Sequence, residues 1–157
     1  MRKSKGFSLI ELLLAMGLMM MLSAGIVVLI GRGPVQAGRD SRRKADLEKV
    51  ASALELYRND NGTYPDCSSG NNCTVATTFV VSALWSTYMS TAPTDPSSPA
   101  REYRYVPLPV GCDAGGTRCT QYVLCTALEK VIAADAACSG AGSCGAGVNC
   151  SGSVTSP

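Results

Sequence analysis

The chain has 157 residues, of which 46% are hydrophobic and none is histidine. The lack of histidine excludes Ser-His and Cys-His nucleophilic sites and mixed Cys/His zinc sites. The formal net charge of +2 provides no general field that would attract nucleic acid, so no nucleic-acid partner is expected.

The first predicted element is a membrane-spanning helix. Residues 7–30 form an apolar run in which Glu11 is the only charged residue. A helix of this length measures about 36 Å, enough to cross a hydrocarbon core of roughly 30 Å. A cleaved secretory signal fits poorly, because Leu22 takes a position in the best site, "LSAG", where a small residue is needed.

All eight cysteines follow this segment. They are Cys67, Cys73, Cys112, Cys119, Cys125, Cys138, Cys144 and Cys150. An even number of cysteines in a small domain is typical of disulfides formed in an oxidising compartment. Basic residues flank both ends of the apolar run, so charge alone does not orient it; the cysteines place the C-terminal part outside the cytoplasm.

The stretch "KGFSLIELLLAMG", residues 5–17, resembles the class III signal of type IV prepilins and type II secretion pseudopilins. The resemblance implies that prepilin peptidase cuts between Gly6 and Phe7 and that Phe7 is then methylated. It also implies that Glu11 acts in assembly by pairing with the amino terminus of a neighbouring subunit.

Glu11 needs such a partner because a charged group deep in a bilayer costs roughly 2.5 kcal/mol or more. Two opposite charges about 4 Å apart gain about 4 kcal/mol at an effective dielectric near 20, which offsets much of that cost. The alternative is that Glu11 lies near the membrane interface and extends to water.

Residues 31–34, "GRGP", predict a bend or a melted turn. An amphipathic helix is predicted to follow over residues 35–59, with Leu47, Val50, Leu54 and Tyr57 on one face. The charged residues are predicted to face solvent or other subunits; they are Glu48, Glu55, Arg42, Arg43, Lys44, Lys49 and Arg58. A DNA-binding stripe is the alternative, and interleaved acidic residues argue against it.

The ending "NGTYP", residues 61–65, is similar to that of major pseudopilins and implies that Tyr64 packs under the helix end. A short helix is predicted within residues 79–92, capped by Ser82 and burying Leu84, Trp85 and Tyr88. Strands are predicted at residues 103–106 and 121–127, with a third at 131–134.

Four disulfides are expected among 105 possible pairings. Cys119 and Cys125 cannot bond if they lie on one strand, because they would be about 20 Å apart. The expected pairs are 67/73, 112/119, 125/138 and 144/150, and cross-links would have to hold the Gly/Ser-rich tail. No metal site is expected, since the closest cysteines are six positions apart. Calcium, which major pseudopilins bind in a C-terminal loop, is possible but unassigned; Asp135 precedes the tail without a matching ligand cluster.

The sequence therefore predicts an α+β subunit: a long N-terminal helix, half transmembrane and half amphipathic, packed on a small antiparallel sheet with a disulfide-rich C-terminal region. The expected segments are a leader (1–6), a transmembrane helix (7–30), an amphipathic helix (31–62), a globular head (63–137) and a tail (138–157). The resemblance extends over roughly residues 3–130.

The resemblance implies a non-enzymatic filament subunit of a type IV pilus or a type II secretion pseudopilus. Its partners would be copies of itself, prepilin peptidase, the assembly platform and ATPase, and the membrane. It would be a single-pass protein of the inner membrane before assembly, and an extracellular or periplasmic filament afterwards. The alternatives are a membrane-tethered extracellular Cys-rich binding module and a secreted enzyme, for which no catalytic motif is found.

Overall fold

A computed structural model describes residues 7–30, 33–67, 72–76, 85–112 and 116–157. The chain divides into two compact units, Met1–Gln36 and Ala37–Pro157. The first unit is dominated by helix α1, Leu9–Ile30. Within it, Leu9–Ile26 has a mean hydropathy of 2.1 and none of its residues is buried, so this helix is long and apolar enough to cross a membrane.

The second helix, α2, spans Gly33–Asn61. Pro34 lies in its first turn, where a proline is tolerated because the missing N–H has no helical partner. The helix ends at Asn61, since Gly62 adopts φ +72° and its N–H donates to the carbonyl of Arg58 at 2.7 Å. Residues 31 and 32 of the predicted bend lie outside the described residues, so the bend stays a prediction.

Among the described residues, four antiparallel strands form one sheet in the order β1-β2-β3-β4. They are β1 (Cys73–Thr74), β2 (Arg104–Leu108), β3 (Gln121–Thr126) and β4 (Gly152–Thr155). The first two predicted strands correspond to β2 and β3. These strands pair with each other, and Tyr105 of β2 lies opposite Leu124 of β3.

The third predicted strand is wrong. Residues 131–134 form no strand and are exposed, and the Gly/Ser-rich tail supplies β4 instead. Val123, Leu124 and Cys125 of β3 pair with this tail segment. Local composition pointed away from a strand there, but β3 offers an open row of backbone donors and acceptors that the tail can pair with.

The two faces of the sheet bury different partners, because successive side chains of a strand point to opposite sides. Tyr105 and Leu124 face α2, in a core with Leu47, Val50 and Leu54 that confirms most of the predicted helical face. The opposite face forms a second core with the tail, made by Val106, Val123, Cys125, Ala127, Cys138, Ala141, Cys144 and Cys150. The tail is thus a packed layer of the fold.

The described part of the second unit also contains two short helices. Helix α3 spans Trp85–Tyr88, within the helix predicted at 79–92; residues 79–84 of that prediction, with Ser82 and Leu84, lie outside the described residues. Tyr88 is half-buried, and its ring packs edge-on against Tyr57 at 5.7 Å between centroids. A 3-10 helix spans Ala136–Ala141, and Asp135 caps it by accepting a hydrogen bond from the N–H of Ala137.

Candidate assembly site

The start of α1 carries two of the residues singled out from the sequence. Phe7 is 81% exposed and precedes the helix. Glu11 lies in the first helical turn and is exposed, with its N–H donating to the carbonyl of Ser8 at 3.0 Å. Gly6 lies outside the described residues.

The surface of α1 is almost uniformly apolar over Leu9–Ile26, and none of these residues is buried by the part of the chain that the structure describes. Leu9, Met20 and Met21 are each more than 70% exposed. Glu11 is the single acidic residue on this surface. An exposed apolar helix requires a non-aqueous environment, either lipid or other protein chains. A charged carboxylate is costly in such an environment unless it is neutralised, so Glu11 is the candidate assembly residue of this helix.

A buried ion-pair network joins α2 to the rest of the second unit, and Arg43 is its centre. The Arg43 side chain has no exposed surface. Its guanidinium donates to Asp95 at 2.7 and 2.9 Å, to Asp40 at 2.8 Å, to Glu129 at 2.9 Å and to Ser97 at 3.1 Å. These five hydrogen bonds satisfy the fork of donors that makes arginine suited to buried ion pairs.

The network also fixes the backbone that follows β3. The carboxylate of Asp40 accepts hydrogen bonds from the N–H groups of Glu129, at 2.9 Å, and Lys130, at 3.1 Å. Arg39 forms a further two-point ion pair with Glu129. Three carboxylates and two guanidinium groups therefore hold the start of α2 in the second unit against two separate loops.

These contacts shift the ionisation of the acids and of Arg43. Hydrogen bonds from Arg39, together with those from Arg43, lower the pKa of Glu129 to about 2. Burial alone would raise the pKa of Asp40, but the backbone N–H groups of Glu129 and Lys130 and the guanidinium of Arg43 lower it below its ordinary value. Desolvation alone would lower the pKa of Arg43, but hydrogen bonds to the carboxylates raise it.

The prediction that Arg43 faces solvent or other subunits is wrong, and with it any contribution of Arg43 to a DNA-binding stripe. Helical periodicity places position 43 on the inner flank near Leu47 and Val50, and only the carboxylates of Asp40, Asp95 and Glu129 make that burial favourable. One feature of the sequence could have indicated this ion pair: Asp40 and Arg43 lie three positions apart on one helix, a spacing at which opposite charges meet. Arg42 does face solvent, with 65% of its side chain exposed.

At the other end of α2, tyrosines fix the exit of the chain. Tyr64 is fully buried, as predicted, and its hydroxyl contacts Glu55 at 2.8 Å and Arg58 at 3.1 Å. Tyr122 of β3 also donates to Glu55, at 3.2 Å. The pKa of Tyr122 rises above its ordinary value because of burial and the nearby Glu55 carboxylate. Glu55 therefore organises a contact within the subunit.

The four disulfides join the pairs expected from the sequence. They are Cys67–Cys73, Cys112–Cys119, Cys125–Cys138 and Cys144–Cys150. Their Cα–Cα distances of 5.1 to 5.9 Å lie in the range for bridged cysteines. Cys119 lies outside β3 and Cys125 inside it. Each bridge joins cysteines that follow one another in the sequence.

Comparison with known proteins defines the family. Residues 1–27 match the family model of the prokaryotic N-terminal methylation motif. Residues 33–111, half of the chain, match the family model of type II secretion system (T2SS) protein G. The chain belongs to the T2SS protein G family. The N-terminal motif and this domain together make it a pseudopilin of the type IV pilin group.

A curated relative supports the same assignment. Type II secretion system core protein G of Pseudomonas aeruginosa is 33% identical to this pseudopilin over 69 residues. That alignment covers 44% of this chain and 48% of the relative, so the chain spans about half the length of the curated relative that it matches. No solved structure matches the chain.

The matched region ends at Gly111, whereas the resemblance was expected to extend to roughly residue 130. β3, the 3-10 helix, β4 and three of the four disulfides all follow Gly111. The second core of this pseudopilin, on the face of the sheet opposite α2, is therefore built mainly by sequence outside the family model.

Asp135, considered for calcium, is engaged in other contacts. One carboxylate oxygen accepts from the N–H of Ala137 at 3.0 Å and the other from the hydroxyl of Ser153 at 2.7 Å. In the described part of the pseudopilin, no group of three or more His, Cys, Asp or Glu residues is placed to hold a metal ion. Calcium therefore stays unassigned.

Proposed function

We propose that this pseudopilin is a structural filament subunit of a type II secretion pseudopilus, processed by prepilin peptidase between Gly6 and Phe7. The observation that carries the proposal is the apolar surface of α1, which is unburied over Leu9–Ile26 in the described structure and bears a single acid, Glu11, in its first turn. The methylation motif at residues 1–27 supports processing at the leader. The protein G family is a family of structural subunits, in keeping with a non-enzymatic role.

The same helix serves two environments in this proposal. Before assembly, α1 anchors the subunit in the inner membrane with the cysteine-containing part on the periplasmic side. During assembly, copies of α1 pack on one another and exchange lipid contacts for protein contacts. Repetition of one head-to-tail interface extends such a contact into an open helical filament.

Glu11 sets the register of this packing. Cleavage before Phe7 produces an α-amine that can carry a positive charge, and in the proposed filament that amine lies beside Glu11 of an adjacent subunit. The pairing is favourable by about 4 kcal/mol at an effective dielectric near 20. Any other axial position of the subunit leaves the carboxylate unpaired in an apolar core. The proposed partners are therefore other copies, prepilin peptidase, and the platform and ATPase that drive assembly.

Mass spectrometry and filament isolation test the proposal. Mature protein is expected to begin at methylated Phe7. Glu11→Leu is expected to be cleaved normally and to remain in the membrane without appearing in sheared filaments. Glu48→Gln removes an exposed acid of α2 and serves as the matched control, with filament yield unchanged.

Two results would contradict this assignment. Glu11→Leu filaments at parental yield would refute the pairing with the neighbouring terminus. An uncleaved N-terminus in a protein that stays in the membrane would instead indicate the alternative function, a tethered Cys-rich binding module.

A further inference from the structure

The loop that follows β3 exposes apolar side chains where the second unit begins. Ile132 is 88% exposed and Val131 is 44% exposed, and residues 130–134 are all exposed. These side chains are absent from both cores of the second unit. Two exposed apolar side chains do not by themselves mark a binding surface, so their position and the charges around them decide what they can contact.

The position of this loop is fixed by α2. The N–H groups of Glu129 and Lys130 donate to the carboxylate of Asp40, which also accepts a hydrogen bond from Arg43. A cavity of about 260 Å³ separates the loop from the helix, and its lining includes Ala37, the first residue of the second unit. The loop therefore lies at the end of the second unit where the chain enters from the membrane anchor.

The charge around the exposed apolar residues is basic. Lys44 and Lys130 line the same cavity as Val131, and both are exposed. Of the neighbouring acids, Glu129 is paired with Arg39 and Arg43, and Asp40 is paired with Arg43. Asp135 accepts hydrogen bonds from the N–H of Ala137 and the hydroxyl of Ser153. Two exposed lysines that line one cavity with Val131, followed in the chain by the exposed Ile132, complement an anionic lipid surface: lysines suit its headgroups and isoleucine its interfacial region.

The chain between α1 and the second unit allows a surface of low intrinsic affinity to bind the membrane. Helix α1 ends at Ile30, and Ala37 follows seven residues later, so even a fully extended chain keeps Ala37 within about 25 Å of that end. A surface held this close to the bilayer binds intramolecularly, at a high effective concentration. Two lysines and one isoleucine would be too few to bind a free protein to a membrane, but they are sufficient for a protein that is already anchored in it.

We propose that residues 130–132, together with Lys44, dock on the anionic headgroups of the bilayer that holds α1 before the subunit is assembled. This proposal rests on the membrane anchoring in the proposed function. The docked loop fixes the orientation of the second unit over the membrane and is released when the subunit leaves the bilayer. The bound chemistry is an acidic phospholipid headgroup with the adjoining acyl region.

Tryptophan fluorescence of the full-length protein in vesicles tests the docking. In a Trp85→Phe background, Ile132→Trp places a single tryptophan on the loop. The vesicles contain phosphatidylcholine with or without phosphatidylglycerol, and lipids brominated near the headgroup act as quenchers. Blue-shifted and quenched emission is expected in the anionic vesicles, with weaker quenching in phosphatidylcholine alone and at high salt.

Two sets of variants make the test specific. Lys44→Gln and Lys130→Gln are each expected to lower the docked-to-undocked ratio about fivefold, the effect of one lysine near an anionic surface. Val110→Trp in the same background is the positional control. Val110 is 61% exposed and follows the far end of β2, so its emission should stay water-like and unquenched.

The remaining outcomes overturn the proposal in distinguishable ways. Water-like emission from the Ile132→Trp protein in vesicles that carry it on flotation would refute docking and leave the anchor intact. Emission that shifts with protein-to-lipid ratio without bromine quenching would show that a second copy covers the loop. Failure to float with vesicles would refute the anchor itself, and docking with it.

Discussion

Arg43 on α2 and Asp95, 52 positions later in the chain, form a two-point ion pair in which neither side chain has exposed surface. Removal of one partner from such a pair leaves charges buried without compensation, which costs about 3–5 kcal/mol. Arg43→Gln is therefore expected to lower the free energy of unfolding by that amount, measured by denaturant titration of the full-length protein in detergent.

Arg42→Gln is the matched control for this substitution. The Arg42 side chain is 65% exposed and its ion pair with Asp46 is 3.8 Å long. An exposed pair of this kind contributes less than about 1 kcal/mol. Equal losses for the two variants would show that the network around Arg43 does not hold α2 in place.

Acid should weaken the same network. The pKa of Glu129 falls from 4.5 to about 2 in the folded protein because Arg39 and Arg43 stabilise its charged form. A carboxyl group with a depressed folded-state pKa contributes stability above its unfolded pKa, and that contribution is lost as the pH falls through the folded value. The free energy of unfolding is expected to decline between about pH 4.5 and pH 2.

Glu129→Gln tests the assignment of this acid dependence. The variant is expected to be less stable at neutral pH and to show a shallower decline across the same range, since a side-chain amide at this position has no proton to bind. Glu48→Gln should leave the slope unchanged. A parental slope in Glu129→Gln would assign the acid dependence to other groups.

The disulfide between Cys125 and Cys138 should hold the tail against the sheet. It links β3 to the 3-10 helix, within the second core. The combined substitution Cys125→Ala and Cys138→Ala is expected to cost about 3 kcal/mol, the value for a loop of similar length. Hydrogen exchange should show faster exchange of β4 amides, because β4 is joined to the fold mainly through β3.

The corresponding substitution of Cys67 and Cys73 is the control for location. That bridge lies in the other core, against α2. Loss of this bridge should leave the β4 amides protected. Similar β4 exchange in both variants would mean that the tail packs without its own cross-link.

Thr126 of β3 offers a gain in stability. Its side chain is 1% exposed, and its hydroxyl has no hydrogen-bond partner in the part of the chain that the structure describes. Replacement of an unsatisfied buried hydroxyl by a methyl group removes a desolvation penalty. Thr126→Val is expected to raise the melting temperature, with a gain of up to about 1 kcal/mol.

Thr63→Val provides the opposite case. The Thr63 hydroxyl donates to the carbonyl of Cys119 at 3.0 Å. Loss of this hydrogen bond should destabilise the protein by about 0.5–1.5 kcal/mol. A loss of stability in Thr126→Val would indicate that its hydroxyl has a partner in the folded protein.

The amino-acid sequence by itself was sufficient to predict the apolar helix, the inward face of α2, the two central strands and the disulfide pairs. Each depends on neighbours in the chain: the apolar run is continuous, Leu47, Val50 and Leu54 repeat at helical spacing, and every bridge joins consecutive cysteines. Such features can be predicted from a short stretch of sequence, because they depend on helical or strand periodicity and on the spacing of neighbouring cysteines.

Tertiary structure alone decided the burial of Arg43 and the role of the tail. Arg43 is compatible with the interior only because Asp95 and Glu129, 52 and 86 positions away, supply opposite charge there. The tail forms β4 only because β3 presents an unpaired edge and the disulfides hold the two together. Neither partner can be read from the local sequence, since the energy of a buried charge or a strand depends on what the rest of the fold places beside it.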